Sequence, residues 1–369
     1  MMLPKNLTEI NEMYSILLRL VYKCNSNINK FFMKNNARKN RTINHQILFI
    51  ITILMSVTFI SAQEKTTPGN QSEELGEVSW YRDYDTALEL AEQQGKEVLI
   101  LFQEVPGCAT CRNYGHNVLS HPLMVEAIED LFIPLAIYNN KGGKDKQILQ
   151  KYKEPSWNNP VVRIVNKDGD NTVNRISGNY SAIALYKAMN ESLFNANKPI
   201  PGYFKLLGDE LFASNNKSAK ETYFKMYCFW TGEKELGKIE GVLGTEAGFM
   251  GGHEVVKVKY DDEVIDKSKI AKYVRQVNFT PIAKSNYRTA KNDIQYYLEH
   301  TNYKYLPLTE VQKTKINSAL GTGKRAEQYL SPKQLKWLKS LNNSSVRNEV
   351  LFNKDFVMAW KSKNKLASK

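Results

Sequence analysis

Long apolar runs are scarce in this 369-residue chain. The run Ile47 to Ile60 has 14 residues, and crossing the hydrocarbon of a bilayer takes about 20. A stable membrane span is excluded on that ground. Cysteine is scarce too, at four residues. Two of them, Cys108 and Cys111, stand three positions apart, and only Cys228 follows downstream, so thiol chemistry is confined to very few atoms. Internal repeats and low-complexity tracts are missing. No nucleic-acid signature accompanies the basic ending KSKNKLASK, which reads as a solvated end and not as a nucleic-acid arm.

What is present is ordinary for a globular protein: 42% hydrophobic and 24% charged residues, which excludes wholesale disorder. The length suggests about two domains. The formal charge is +13, but the first 62 residues hold eight Lys/Arg against two Glu, leaving the remainder only mildly basic. Lys34, Arg38, Lys39 and Arg41 precede the Ile47–Ile60 run, and Ser61-Ala62-Gln63 follows it. A positive segment, a short apolar segment and a small residue before the cut are the order of a secretory signal. The expectation is an upstream extension at 1–32, a signal peptide at 33–62 cleaved after Ala62, and a periplasmic or secreted product in which thiols can be oxidised.

Residues 63–77 are polar and turn-rich and read as a linker, with ordered structure expected from Trp80. DYDTALELAEQQGKEV reads as a helix capped by Asp85 and closed by Gly95, and VLILF as a buried strand. Val118–Leu131 is expected to be helical, FIPLAIY to be a second strand, VVRIVNKDGD the start of a hairpin, and SAIALYKAMNESLF a helix. Such alternation defines an α/β domain, placed at 78–198. A second linker is expected at 199–217. Beyond it, a strand ending at Cys228, a helical stretch, the strands GVLGTEAGF and HEVVKVKYD, and the helix SKIAKYVRQV form an α+β split βαβ pattern, placed at 218–345 and followed by a basic tail at 346–369.

Cys108-x-x-Cys111 follows the first strand. At the amino end of a helix, Cys108 faces unpaired N–H groups that favour the thiolate, the attacking species. Cys111, one turn deeper, can resolve a mixed disulfide formed at Cys108. A zinc site completed by His116 and His121 is the rival reading, but the spacing fits neither usual zinc class. A structural disulfide is a third. The redox reading is taken, with no metal and no cofactor, and His116 and His121 are expected at the surface.

The order strand, CxxC, helix, then Asn159-Pro160 before VVRIVNKDG resembles a thioredoxin-like domain. The resemblance implies a cis peptide before Pro160, facing the cysteines. Val105-Pro106-Gly107 before Cys108 is similar to thioredoxin-like proteins in which VPG leads into the reactive residue. The chain departs from thioredoxin itself in having Val-Pro-Gly where a Trp precedes the first cysteine, and Ala109-Thr110 in place of Gly-Pro.

Cys228 lies at a comparable strand-to-helix junction, with His253 and Glu254 downstream as proton handlers. A buried core cysteine among aromatics is the bland alternative. Cys228-Phe229-Trp230, Ala247 to Gly252 and His253 to Val256 resemble the A-type peptide-methionine sulfoxide reductases over residues 220–283. The resemblance implies that Cys228 attacks the sulfoxide sulfur and becomes a sulfenic acid. It implies further that Phe229 and Trp230 hold the methyl group and that position 249 contributes to oxygen binding. Phe249 stands where that family has a tyrosine. The segment carrying its catalytic glutamate is missing, since Gly252 abuts His253, and Glu246 or Glu254 is the substitute expected. The reading is thus an exported thiol–disulfide oxidoreductase whose Cys108/Cys111 pair supplies electrons to Cys228. Its partners are oxidised protein substrates and an upstream electron donor. The alternative keeps the disulfide chemistry and makes the downstream domain inactive.

Overall fold

The computed structural model describes residues 65–341 and 349–367. The extension and the signal peptide lie outside the described residues. Glu64–Lys369 forms one compact unit.

Two sheets organise it. The first has the order β2-β1-β3-β4, with β1 Glu97–Gln103, β2 Phe132–Tyr138, β3 Val161–Val165 and β4 Ile176–Ser177. β1 runs parallel to β2 and antiparallel to β3. All seven residues of β1 are buried. Its side chains alternate between faces, as the pleat requires. Leu99 and Leu101 enter one core cluster, while Val98, Ile100 and Phe102 enter another with Ala87 and Ala91 of helix α1, Tyr84–Gln94. α1 starts where the Asp83 carboxylate accepts from the Thr86 N–H and ends at left-handed Gly95, so the capping aspartate is Asp83, not Asp85. Helices α2 Ala109–Asn117 and α3 Pro122–Leu131 follow. α4 Gly143–Lys151 precedes β3, and α5 Ala182–Asn195 follows β4.

The second sheet has the order β8-β5-β7-β6-β9, with short edge strands β8 Thr280–Ile282 and β9 Arg288–Thr289. β5 Ala219–Met226 and β6 Val242–Met250 both pair antiparallel with β7 His253–Asp261 between them. β5 and β6 are therefore parallel, joined by helix α7 Phe229–Gly237, which is the split βαβ unit. Gly251 and Gly252 both have positive φ, 57° and 77°. Two such residues suit the tight hairpin that joins β6 to β7. α8 Lys267–Gln276 follows this hairpin.

Three stretches differ from the sequence reading. The expected linker 199–217 is largely helix α6, Gly202–Asn216, with Tyr203, Phe204, Leu206 and Leu207 buried. Phe204 belongs to the cluster that also holds Leu99, Phe132, Tyr303 and Trp337, so the core of the first sheet extends to later helices, while the second sheet packs around its own cluster of Phe224, Val256 and Val258. The expected linker 63–77 is packed as well, with Glu74 and Leu75 buried in a 3₁₀ turn and the Thr66 N–H donating to the Trp80 carbonyl. The basic tail carries helix α12, Phe356–Ala367, whose Trp360 packs edge-on against Trp337 at 4.8 Å. In each case a few apolar residues in a polar stretch found a partner distant in sequence. Helix α9 Tyr296–Glu299, α10 Glu310–Gly321 and α11 Pro332–Leu341 complete the set among the described residues.

Candidate active site

β1 delivers the chain to Glu104, Val105 and Pro106, and α2 begins with Cys108 as its N-cap. The Asn159–Pro160 peptide is cis, and so is Val105–Pro106, for which the sequence held no expectation. Gly107 is required by space: a Cβ there would lie 2.4 Å from the Glu104 carbonyl oxygen and 2.8 Å from the Cys111 Cβ. Its N–H donates to Glu74 Oε1 at 2.7 Å, and its carbonyl accepts from Arg112 Nη1 at 2.7 Å. Burial pushes the Glu74 carboxyl up, but hydrogen bonds from Ser72 and the Gly107 N–H outweigh it and hold the group below the ordinary range.

The two sulfurs are 3.7 Å apart and unbonded, in contrasting surroundings. Cys108 is exposed, and the Cys111 backbone N–H lowers its pKa, with the Thr110 N–H adding to the effect. Cys111 is fully buried, and burial, followed by the hydrogen bond between the two sulfurs, pushes its thiol up to about 12. Its Sγ–H donates to Asn159 Oδ1 at 2.6 Å. Gln103 Nε2 donates to the carbonyls of both Glu74 and Cys111, tying the 3₁₀ turn to α2. A carboxylate oxygen of Glu104 lies within 4.8 Å of both sulfurs. Glu74 and Glu104 escaped the sequence reading. Glu74 lay in an apparent linker, and Glu104 had no partner that spacing could reveal.

The histidines take no part in this cluster. His116 Nε2 meets Glu73 Oε2 at 2.8 Å, and Arg112 Nε lies 3.2 Å from Glu73 Oε1. His121 is not a plain surface residue: it opens α3 beside Phe356, and burial brings its pKa down to about 4.

Cys228, half-buried, is the N-cap of α7. The first helical amide, Phe229 N–H, donates to Glu254 Oε2 at 2.8 Å, so a carboxylate occupies the helix end beside Cys228. Phe229 packs on Phe249 at 5.5 Å, with the Arg288 guanidinium 5.1 Å from the Phe249 ring. Trp230 stacks on Tyr296 at 4.0 Å, and its Nε1–H donates to Asp293 Oδ1 at 3.3 Å. Tyr297 stands close enough that its phenol, raised first by burial, is raised further by the charge of Cys228. Fully buried Glu233 anchors this wall, accepting from the Gln295 N–H at 2.9 Å and the Ala247 N–H at 3.2 Å. Of the other proton handlers expected, Glu246 is committed to Lys257 at 3.0 Å and to the Thr289 hydroxyl at 2.8 Å. His253 is exposed at the end of the β6–β7 hairpin, opposite Met250. Asp293, Tyr296 and Tyr297 were missed because KNDIQYY carries no periodic or spacing signal some 65 residues from Cys228.

The neighbours of the Cys108/Cys111 pair and those of Cys228 form two separate sets. The first set, on its sheet and helix, defines a thioredoxin-like domain of the thiol oxidoreductase class. Residues 79–167 match the family described as Thioredoxin-like. The chain is similar to the peptide methionine sulfoxide reductase MsrA of Methanococcus maripaludis (strain C7), 37% identical over 59 residues, covering 11% of this chain and 38% of that protein. The chain thus spans little more than a third of that curated relative. Among solved structures, a DsbH oxidoreductase matches 31% of this chain and 85% of its own, at 15% identity and a TM-score of 0.26. The chain carries a thioredoxin-like domain followed by a methionine sulfoxide reductase A-like region.

Proposed function

We propose that the protein is an exported thiol–disulfide oxidoreductase in which Cys108 is the attacking sulfur and Cys111 the resolving one. The observation that carries this is the asymmetry of the pair: an exposed sulfur favoured as an anion, 3.7 Å from a buried one held as a thiol. Cys108 thiolate attacks a substrate disulfide, forming a mixed disulfide and releasing one substrate thiolate, which takes up a proton. Cys111 then gives its proton to a nearby base, for which the Glu104 carboxylate is placed, and attacks Cys108 Sγ. The second substrate thiol leaves, and the Cys108–Cys111 disulfide carries the two electrons' worth of oxidation. Reduction of a model protein disulfide tests this. Cys108→Ser should abolish turnover, and turnover equal to the parent would remove the assignment.

A further reading extends the path to Cys228, supported by the aromatic wall of Phe229, Trp230, Phe249 and Tyr296 around it. Cys228 thiolate attacks the sulfoxide sulfur of an oxidised methionine, one proton goes to the departing oxygen, and Cys228 sulfenic acid and methionine result. Glu254, hydrogen-bonded at the same helix end, is the acid this geometry favours over Glu246 and His253. A thiol of the Cys108/Cys111 pair, or of another dithiol, condenses with the sulfenic acid and expels water. Its partner thiol then frees Cys228. Methionine sulfoxide turnover by the parent but not by Cys228→Ser is the expected result. Equal rates in the two would leave the downstream region without this activity.

A further inference from the structure

The described residues bring one group of soft and hard metal-ligating atoms together: Glu104, Cys108 and Cys111, all within 4.8 Å of one another. The separation of the sulfurs is informative. Thiolates on one tetrahedral zinc ion, with Zn–S bonds of about 2.3 Å, stand about 3.8 Å apart. Cys108 and Cys111 already stand 3.7 Å apart, so both reach a common ion without backbone movement. Glu104 is half-buried and has a flexible side chain, which a small rotation brings to the third position. Cys108 is exposed, which supplies an access path and leaves room for a water at the fourth.

We infer that the reduced dithiol and Glu104 form a binding site for a single thiophilic divalent cation of the zinc class, with two thiolates, one carboxylate and one water as ligands. Binding exchanges protons and moves no electrons: two metal–sulfur bonds form, and two thiol protons leave, one of them the proton now shared with Asn159. Rotation of the Asn159 amide then turns Nδ2–H toward the bound Cys111 sulfur as an outer donor. Neither histidine contributes, since His116 is paired with Glu73 and His121 lies against Phe356. A metal-bound pair cannot close its disulfide, so the ion masks the redox centre reversibly. Only reduced thiols are required, and the inference stands apart from the direction of electron flow.

Cobalt(II) is the probe. The full chain, reduced with a phosphine and freed of thiols, is titrated while thiolate-to-cobalt charge-transfer absorption and proton release are read. One cobalt per chain is expected, with a charge-transfer band that zinc abolishes by displacement. Cys111→Ser should remove the band, and Glu104→Gln should weaken cobalt affinity by about tenfold or more, since even outer-shell changes cost about 10–100-fold. His116→Ala and His121→Ala should bind as the parent does. A reduced parent chain with no charge-transfer band overturns the inference, and so does a Glu104→Gln chain of unchanged affinity. If circular dichroism shows that Glu104→Gln does not fold, Glu104→Ala replaces it, and unchanged cobalt affinity there has the same force. Disulfide reduction measured on the same metal-free samples separates the two assignments: a chain active toward disulfides but blind to cobalt keeps the redox role and loses the metal site.

Discussion

The Sγ–H of Cys111 donates to Asn159 Oδ1 at 2.6 Å, joining the buried member of the CxxC pair to the residue before the cis proline. Burial keeps the proton on Cys111, while the backbone N–H groups at the helix start lower the pKa of Cys108. The difference between the two thiols is set by position. One sulfur faces solvent and backbone N–H groups, and the other faces an apolar interior and a neutral acceptor.

Alkylation across a pH series reads this difference directly. The pKa of Cys108 lies below the ordinary thiol value and that of Cys111 near 12. Cys108 should therefore stay reactive to iodoacetamide as pH falls below the range of a free thiol, and Cys111 should remain unmodified through pH 9. The linkage signs are opposite. The depressed Cys108 contributes stability above its unfolded pKa that is lost as pH falls through the folded one. The raised Cys111 contributes stability below about pH 9 that is lost as pH rises toward 12. Equal modification rates at both sulfurs would contradict the assignment of roles.

Gly107→Ala should damage the site and the fold together. Its Cβ would meet the Glu104 carbonyl oxygen at 2.4 Å and the Cys111 Cβ at 2.8 Å. Overpacking of this kind costs about 1–3 kcal/mol. Urea denaturation should show a lowered midpoint, and reduction of a model disulfide should fall more than stability alone explains. A variant matching the parent in both would show that the loop yields freely.

Glu233 offers a test of the wall around Cys228. Its buried carboxylate accepts two backbone N–H groups, from Ala247 and Gln295, and burial raises its pKa well above the carboxylate range. Glu233→Ala leaves those donors unpaired, at about 1–3 kcal/mol each. Glu233→Gln keeps an acceptor and should cost less. Fluorescence of Trp230, stacked on Tyr296 next to Gln295, is expected to change in the alanine variant more than in the glutamine one.

His121 should make the protein sensitive to mild acid. With its folded pKa near 4 against 6.5 unfolded, the neutral form is favoured on folding. That stability is present above pH 6.5 and is lost as pH falls toward 4, amounting to at most about 3 kcal/mol. His121→Phe, beside Phe356, should flatten the decline of melting temperature between pH 7 and 4. An identical decline in both chains would place the acid sensitivity elsewhere.

Local pattern made much of this molecule legible. The run of VLILF, its CxxC and the alternation of HEVVKVKYD all depend on neighbours within a few residues, and each became the element expected. The two stretches read as linkers and the basic tail did not. Leu75, Phe204 and Trp360 lie in short apolar groups within polar stretches, and their burial depends on partners such as Trp80, Tyr186 and Trp337. The same limit applies to the sites. Cys108 and Cys111 announce themselves by spacing, whereas Glu74, Glu104 and Tyr296 acquire meaning only when the chain returns.

From its sequence alone, this protein was committed to two sheets with helical crossovers and to sulfur chemistry at a strand-to-helix turn, because period, turn residues and helix capping act over short range. Tertiary structure decided which sulfur is exposed and which carboxylates stand beside the sulfurs. It also put the Glu254 carboxylate at the helix end next to Cys228. Burial and charge proximity are properties of space, and folding alone brings residues from 74 to 297 within reach of three cysteines.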